Sequence, residues 1–97
     1  MPTVVVAPAL ARWLDPDPGI GARERTYPAA GDTVREVLDA LFAAYPQLRG
    51  YVVDERGVLR HHVVAYVNGV AVADKQALAQ PVPAGAEVYL FQALSGG

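Results

Sequence analysis

The sequence predicts an α+β fold in which one main helix packs on one face of a mixed sheet of four to five strands. Three observations predict it. Val34, Val37, Leu38, Leu41, Phe42 and Tyr45 recur at three- and four-residue spacing, the apolar stripe of a helix that faces a core. Thr3-Val4-Val5-Val6-Ala7 near the start and Glu87 to Leu94 near the end read as strands. Asn68-Gly69, between His62–Val67 and Val70–Val72, is the strongest short hairpin signal.

The elements follow in order. Thr3–Ala7 is β-branched, and Pro8 ends clean ladder pairing or sets this end at a sheet edge. Ala9–Ala22 holds Pro16, Pro18, Gly19 and Gly21 and reads as a loop, long for a hairpin connection. Within it, Trp13 and Leu14 either fold back on the core or form an exposed contact. Arg23–Tyr27 is a short second strand that makes an N-terminal hairpin with the first. Thr33 and Glu36 fit a capping box, hydroxyl and carboxylate satisfying orphan N–H groups reciprocally, and Asp32 complements the positive end of the dipole. Arg35, Glu36 and Asp39 face outward, and Pro46 stops the helix at about Tyr45.

Beyond the helix, Leu48, Tyr51 and Val52 are expected core contacts, and Asp54-Glu55-Arg56-Gly57 is a turn. Val58-Leu59-Arg60 starts a strand that continues, after a break, through His62–Val67. Asp74–Val82 is irregular, with Leu78 as a buried plug, and Pro83–Ala86 is a tight turn before the last strand. An order of strand, strand, helix, strand, strand, strand with the first and last strands adjacent at the centre is the β-grasp, or ubiquitin-like, order. It forms a single domain over residues 1–94, followed by a flexible Gly-Gly tail over 95–97.

Composition narrows the function. Ninety-seven residues make one domain with a modest core. A net charge of −2, with scattered arginines, lacks the basic patch of a nucleic-acid binder. The start, Met1-Pro2-Thr3-Val4, has no signal-peptide pattern, and no apolar run approaches the roughly 20 residues of a membrane helix. The expected location is cytoplasmic. The apolar fraction of 53% suggests that some apolar surface stays exposed for a partner.

Catalytic chemistry finds little support. There is no cysteine, and Ser95 is the only serine, with no base placed by a recognisable motif. His61 and His62 are adjacent, and neighbours on a strand point to opposite faces, so they cannot readily share a metal. Gly19-Ile20-Gly21 lacks the strand and third glycine of a nucleotide-binding turn. No bound cofactor or metal is expected, and the chain reads as something other than an enzyme.

The informative stretch is the end. Alternation places Val88, Leu90 and Gln92 on one face of the last strand and Tyr89, Phe91 and Ala93 on the other. With the helix over Val88 and Leu90, Tyr89 and Phe91 lie on the open face. There they form a partner patch, or they pack under a loop or against Tyr66 across the sheet. Ser95-Gly96-Gly97 then extends roughly 10 Å beyond the sheet, and glycine, lacking a Cβ, can thread a narrow channel.

The helix start Gly31-Asp32-Thr33-Val34, the hairpin Ala65–Gly69 and the ending Gly85–Gly97 together resemble the MoaD/ThiS family of ubiquitin-like sulfur carriers, over about residues 3–97. The lead Leu59-Arg60-His61-His62 into Tyr66-Val67-Asn68 looks most like the CysO-type carriers of bacterial cysteine synthesis. The resemblance implies that an ATP-dependent adenylating enzyme activates the carboxylate of Gly97. A sulfur donor converts it to a thiocarboxylate, a 1-thioglycine, and a sulfur-accepting synthase receives the tail. The products of such synthases include cysteine, molybdopterin and thiamine. Gly97 matches the sulfur-bearing position and Gly96 its neighbour; Phe91 matches a large apolar contact position, and Leu94 the apolar position before the tail. Gln92 stands where the family often has proline. The free form is expected to be a monomer.

Two further functions share these residues. A ubiquitin-like modifier would use the same activated Gly97 to acylate lysines, and a non-covalent β-grasp module would use the open face alone.

Overall fold

The computed structural model of the chain describes residues 1–7 and 25–92. Over these the chain forms β1 (Thr3–Val6), β2 (Arg25–Pro28), α1 (Val34–Ala44), α2 (Pro46–Val52), β3 (Val63–Val67), β4 (Val70–Ala71) and β5 (Glu87–Gln92). The five strands make one sheet in the order β2-β1-β5-β3-β4. β5 runs parallel to β1 and antiparallel to β3, and the β1–β2 and β3–β4 pairs are antiparallel hairpin partners. The sheet is therefore mixed and β5 is its central strand, as the order of elements predicts.

One face of the sheet is the core. Val4 and Val6 of β1, Val88 and Leu90 of β5, and Val63, Ala65 and Val67 of β3 join Val34, Val37, Leu38, Leu41 and Phe42 of α1 in one buried cluster. Period-two burial in the strands meets period-3.6 burial in the helix, so each element presents one apolar face to the other.

The N-terminus of α1 shows how the irregular segment after β4 serves the fold. A helix leaves its first N–H groups without intrahelical partners. Here Val34 N–H donates to the Gln80 carbonyl and Arg35 N–H to the Leu78 carbonyl, both at 3.0 Å. Glu36 N–H donates to Thr33 Oγ1 at 3.3 Å, and the Glu36 carboxylate accepts from Asp32 N–H at 2.8 Å. The capping pair is thus as expected, except that Glu36 reaches one residue further back. Leu78 is buried, the expected plug, and holds a positive φ of 53° while its carbonyl caps the helix.

Gly31 leads into this cap through a close approach to the first turn of α1. A Cβ there would stand 2.7 Å from Val37 N and 2.8 Å from Glu36 Cβ. Because part of that contact is helix backbone, Gly31→Ala is expected to cost about 1–3 kcal/mol of overpacking, measurable by thermal or urea denaturation.

Several local expectations give way. Residues 46–52 form a second helix, because Pro46 sits at its first turn, where a missing N–H costs nothing, rather than only ending α1. Leu48 and Val52, four apart, are its buried face, whereas Tyr51 points outward at 41% exposure. Val58-Leu59-Arg60 is not a strand. Leu59 makes a single bridge to Val53 around the Asp54 turn, and residues 61–62 turn before β3 begins at Val63. Arg35 does not simply face solvent: its Nε and Nη2 donate to the carbonyls of Ala77 and Gln76, at 3.3 and 2.6 Å, pinning the same segment that caps α1.

Candidate functional site

The candidate site is the open face of the sheet where β5 runs toward the C-terminus. Registration, not sequence proximity, assembles it. Tyr89 lies opposite Val5 of β1 on one side and Tyr66 of β3 on the other. Phe91 lies opposite Val64, and Tyr66 opposite Ala71 of β4. Cross-strand partners share a face, so these residues form one apolar strip. Val5 is buried, Tyr89, Tyr66 and Val64 are half-buried, and Ala71 at the sheet edge and Phe91, at 40%, are exposed.

Tyr89 and Phe91 are therefore on the open face, as alternation predicts, and Tyr66 is the cross-strand neighbour of Tyr89. Val64 belongs to the strip and was not singled out from the sequence. The signal was available: alternation over Val63–Val67 puts Val64 and Tyr66 on one side and the buried Val63, Ala65 and Val67 on the other. Leu94, Ser95, Gly96 and Gly97 lie outside the described residues, as do Trp13, Leu14 and the 9–22 loop.

The rigid base of the strip has identifiable causes. β5 is paired on both sides over Val88–Leu90, and Phe91 and Gln92 continue the pairing with β3 alone. At its start, Asn68 N–H donates to the Glu87 carbonyl at 2.8 Å and Asn68 Oδ1 accepts from Glu87 N–H at 2.9 Å. Asn68 and Gly69 have φ of 48° and 85°, the positive pair that a type I′ hairpin turn requires. The turn that links β3 to β4 thus also clamps the first residue of the central strand.

Away from the sheet, the Asp54 carboxyl is held below its ordinary value chiefly by the Val58 backbone N–H, with further help from Arg56 N–H and the charges of Arg56 and Arg60. Its Oδ1 accepts from Arg56 N–H at 2.8 Å and Val58 N–H at 3.0 Å, which folds the 54–58 turn. His61 and His62 sit in a turn, not on a strand, and their rings meet edge to face with centroids 5.5 Å apart. Among the described residues, no group of three His, Asp or Glu side chains could hold a metal ion, and no helix is long and apolar enough to cross a membrane.

Comparison with known proteins agrees with this architecture. Residues 18–97 match the model of the ThiS family. Small archaeal modifier protein 1 of Haloferax volcanii is 38% identical over 78 residues, spanning 79% of this chain and 85% of that protein. The crystal structure of the Amycolatopsis orientalis BexX/CysO complex contains a chain that superposes with a TM-score of 0.74 at 25% identity, over 97% of this chain and 99% of that one. CysO of Mycobacterium tuberculosis, described as an antigen, gives a TM-score of 0.70 at 29% identity, over 94% of this chain and 99% of that one. These relatives are small ubiquitin-like proteins that act as carriers rather than enzymes. The chain belongs to the ThiS family of small ubiquitin-like, β-grasp carrier proteins.

Proposed function

We propose that the chain is a sulfur carrier whose working group is the carboxylate of Gly97. The observation that supports this most is the exposed aromatic end of the central strand: Phe91, paired with Val64 of β3, and Tyr89, paired on both sides, stand on the strand that leads in sequence to Ser95-Gly96-Gly97. An apolar strip beside a tail suits a partner that must grip the domain and receive the terminus together. A carboxylate is a poor acyl donor, and a mixed anhydride with adenylate is a good one. An ATP-dependent activating enzyme supplies that anhydride, a sulfur donor displaces the adenylate, and Gly97 becomes a thiocarboxylate, the 1-thioglycine form. The tail, residues 95–97, then delivers sulfur to a synthase. The chain needs no bound cofactor and no cysteine for this, works as a monomer, and operates in the cytoplasm. The A. orientalis structure, a CysO protein in complex with BexX, supports a working surface for partner proteins.

A second reading has its own support. The 38% identical relative is named a small archaeal modifier protein, which favours conjugation of Gly97 to lysines. The two readings share activation and part afterwards. ATP–pyrophosphate exchange by the activating enzyme is expected to depend on this chain; exchange at background would overturn both. Conjugates should be digested with chymotrypsin. The last basic residue before the tail is Lys75, so trypsin would leave a remnant running from Gln76, whereas cleavage after Leu94 leaves Ser-Gly-Gly on the acceptor.

Phe91→Ala tests the grip. Because the ring is 40% exposed, its truncation is expected to weaken binding to the activating enzyme by more than about 1 kcal/mol, in a calorimetric titration, while lowering stability by less. A stability loss above about 3 kcal/mol would instead mark a buried core aromatic.

A further inference from the structure

The chain has one lysine, Lys75, beside seven arginines. Arginine keeps its charge and does not accept acyl groups in water, so Lys75 carries the only side-chain amine available to acyl chemistry. Its placement is specific. Lys75 follows β4 in the segment that packs back on the 54–62 turns, where its carbonyl accepts from Leu59 N–H at 2.9 Å. Its Nζ donates to the His61 carbonyl at 3.1 Å. The amine lines an open groove of about 380 Å³ together with Arg60, His61, His62 and Asp54. None of these residues belongs to the strands that form the open sheet face.

The groove holds what an amine acceptor needs. The hydrogen bond to His61 holds Nζ at one place, and a neutral amine can donate one N–H there while its lone pair points elsewhere. His61 and His62 are the chain's only histidines, and an imidazole nitrogen is a base able to take up the proton an acylated amine sheds. The guanidinium of Arg60, tethered through Nε to the Gly50 carbonyl at 2.8 Å, brings positive charge to the same groove, where a reacting carbonyl develops negative charge. The Asp54 carboxylate is turned onto backbone N–H groups of its own loop.

We infer that Lys75 is the site at which one copy of this chain accepts the activated Gly97 of another, giving chains linked through a single isopeptide position. This rests on the reading of Gly97 as an activated acyl terminus. In the step, the lone pair of neutral Nζ attacks the Gly97 carbonyl carbon of an adenylated copy. A C–N bond forms, the C–O bond to the phosphate breaks, AMP leaves with the electron pair, and the Nζ proton passes to a groove imidazole.

The test bypasses the activating enzyme. Full-length chain bearing Gly97 as a thioester is mixed with chain ending in the free carboxylate, and products are read by intact mass and chymotryptic mapping. The expected product is a dimer with the Ser-Gly-Gly remnant on Lys75, formed with a second-order rate constant at least about tenfold above that of Nα-acetyl-lysine amide, since the groove pre-positions the amine. Lys75→Arg is expected to abolish it. His62→Gln is expected to slow it several-fold with an unchanged melting temperature. Linkage at the α-amine of Met1, no dimer, or a rate no higher than that of the free lysine derivative overturns the inference. Such a failure leaves activation of Gly97 untouched, because ATP–pyrophosphate exchange is measured separately.

Discussion

Deletion of Gly97 is expected to reduce ATP–pyrophosphate exchange by the activating enzyme to background while leaving the melting temperature unchanged. The physical reason is length and placement. Removing one extended residue withdraws the carboxylate by about 3.5 Å. Misplacement of a reacting group by even about 1 Å can cost a factor of about 100 in rate, so a retained glycine carboxylate on Gly96 does not rescue the reaction. Stability should not follow. The described core is built from residues between Val4 and Leu90, and its cluster includes nothing beyond that position. A change within about 0.5 kcal/mol is expected, the range of substitutions away from packed features. A variant that lost its cooperative thermal transition would mean that the tail is structural.

The opposite pattern is expected one residue before Phe91. Leu90 is fully buried on the central strand, between Val6 of β1 and Ala65 of β3, and faces the helix. Leu90→Ala should cost about 2–5 kcal/mol, the loss of transfer free energy plus a cavity that a sheet held from both sides cannot close. Against a total of about 5–15 kcal/mol for a domain of this kind, that is a large fraction of the stability. Urea denaturation should show a lower midpoint at an unchanged slope. The fraction that remains folded should still bind the activating enzyme, because the open face is presented by Tyr89 and Phe91. A loss below about 1 kcal/mol would contradict the assignment of the two faces of β5.

That assignment was legible because β5 has one buried and one open face, and a period of two then sorts its residues without further information. The same holds for α1, whose stripe and Thr33–Glu36 cap are local patterns, and for Asn68-Gly69, whose conformation is demanded by the turn itself. Long-range features were not legible. Nothing local in Leu78-Ala79-Gln80 announces that two of its carbonyls cap a helix more than forty residues earlier. Arg35 reads as an outward charge on the helical wheel, yet its guanidinium fastens that segment. α2 was hidden by Pro46 and Gly50, which usually break helices, although the four-residue spacing of Leu48 and Val52 was a usable sign. Leu59 has the β-branched company of a strand but bridges only once, because the turn closed by Asp54 leaves no room for a ladder. In the candidate site, Tyr89 and Phe91 were readable from their own strand, whereas Val64 and the pairing of Tyr66 with Tyr89 depend on the register between β3 and β5.

The central claim is that Gly97 carries sulfur, and intact-mass measurement of the chain purified from its native host tests it most directly. The expected result is a population heavier by the replacement of one oxygen with one sulfur, the added mass confined to the C-terminal chymotryptic fragment and absent when Gly97 is deleted. A chain found only unmodified, or only joined through Gly97 to lysines of other proteins, would contradict it.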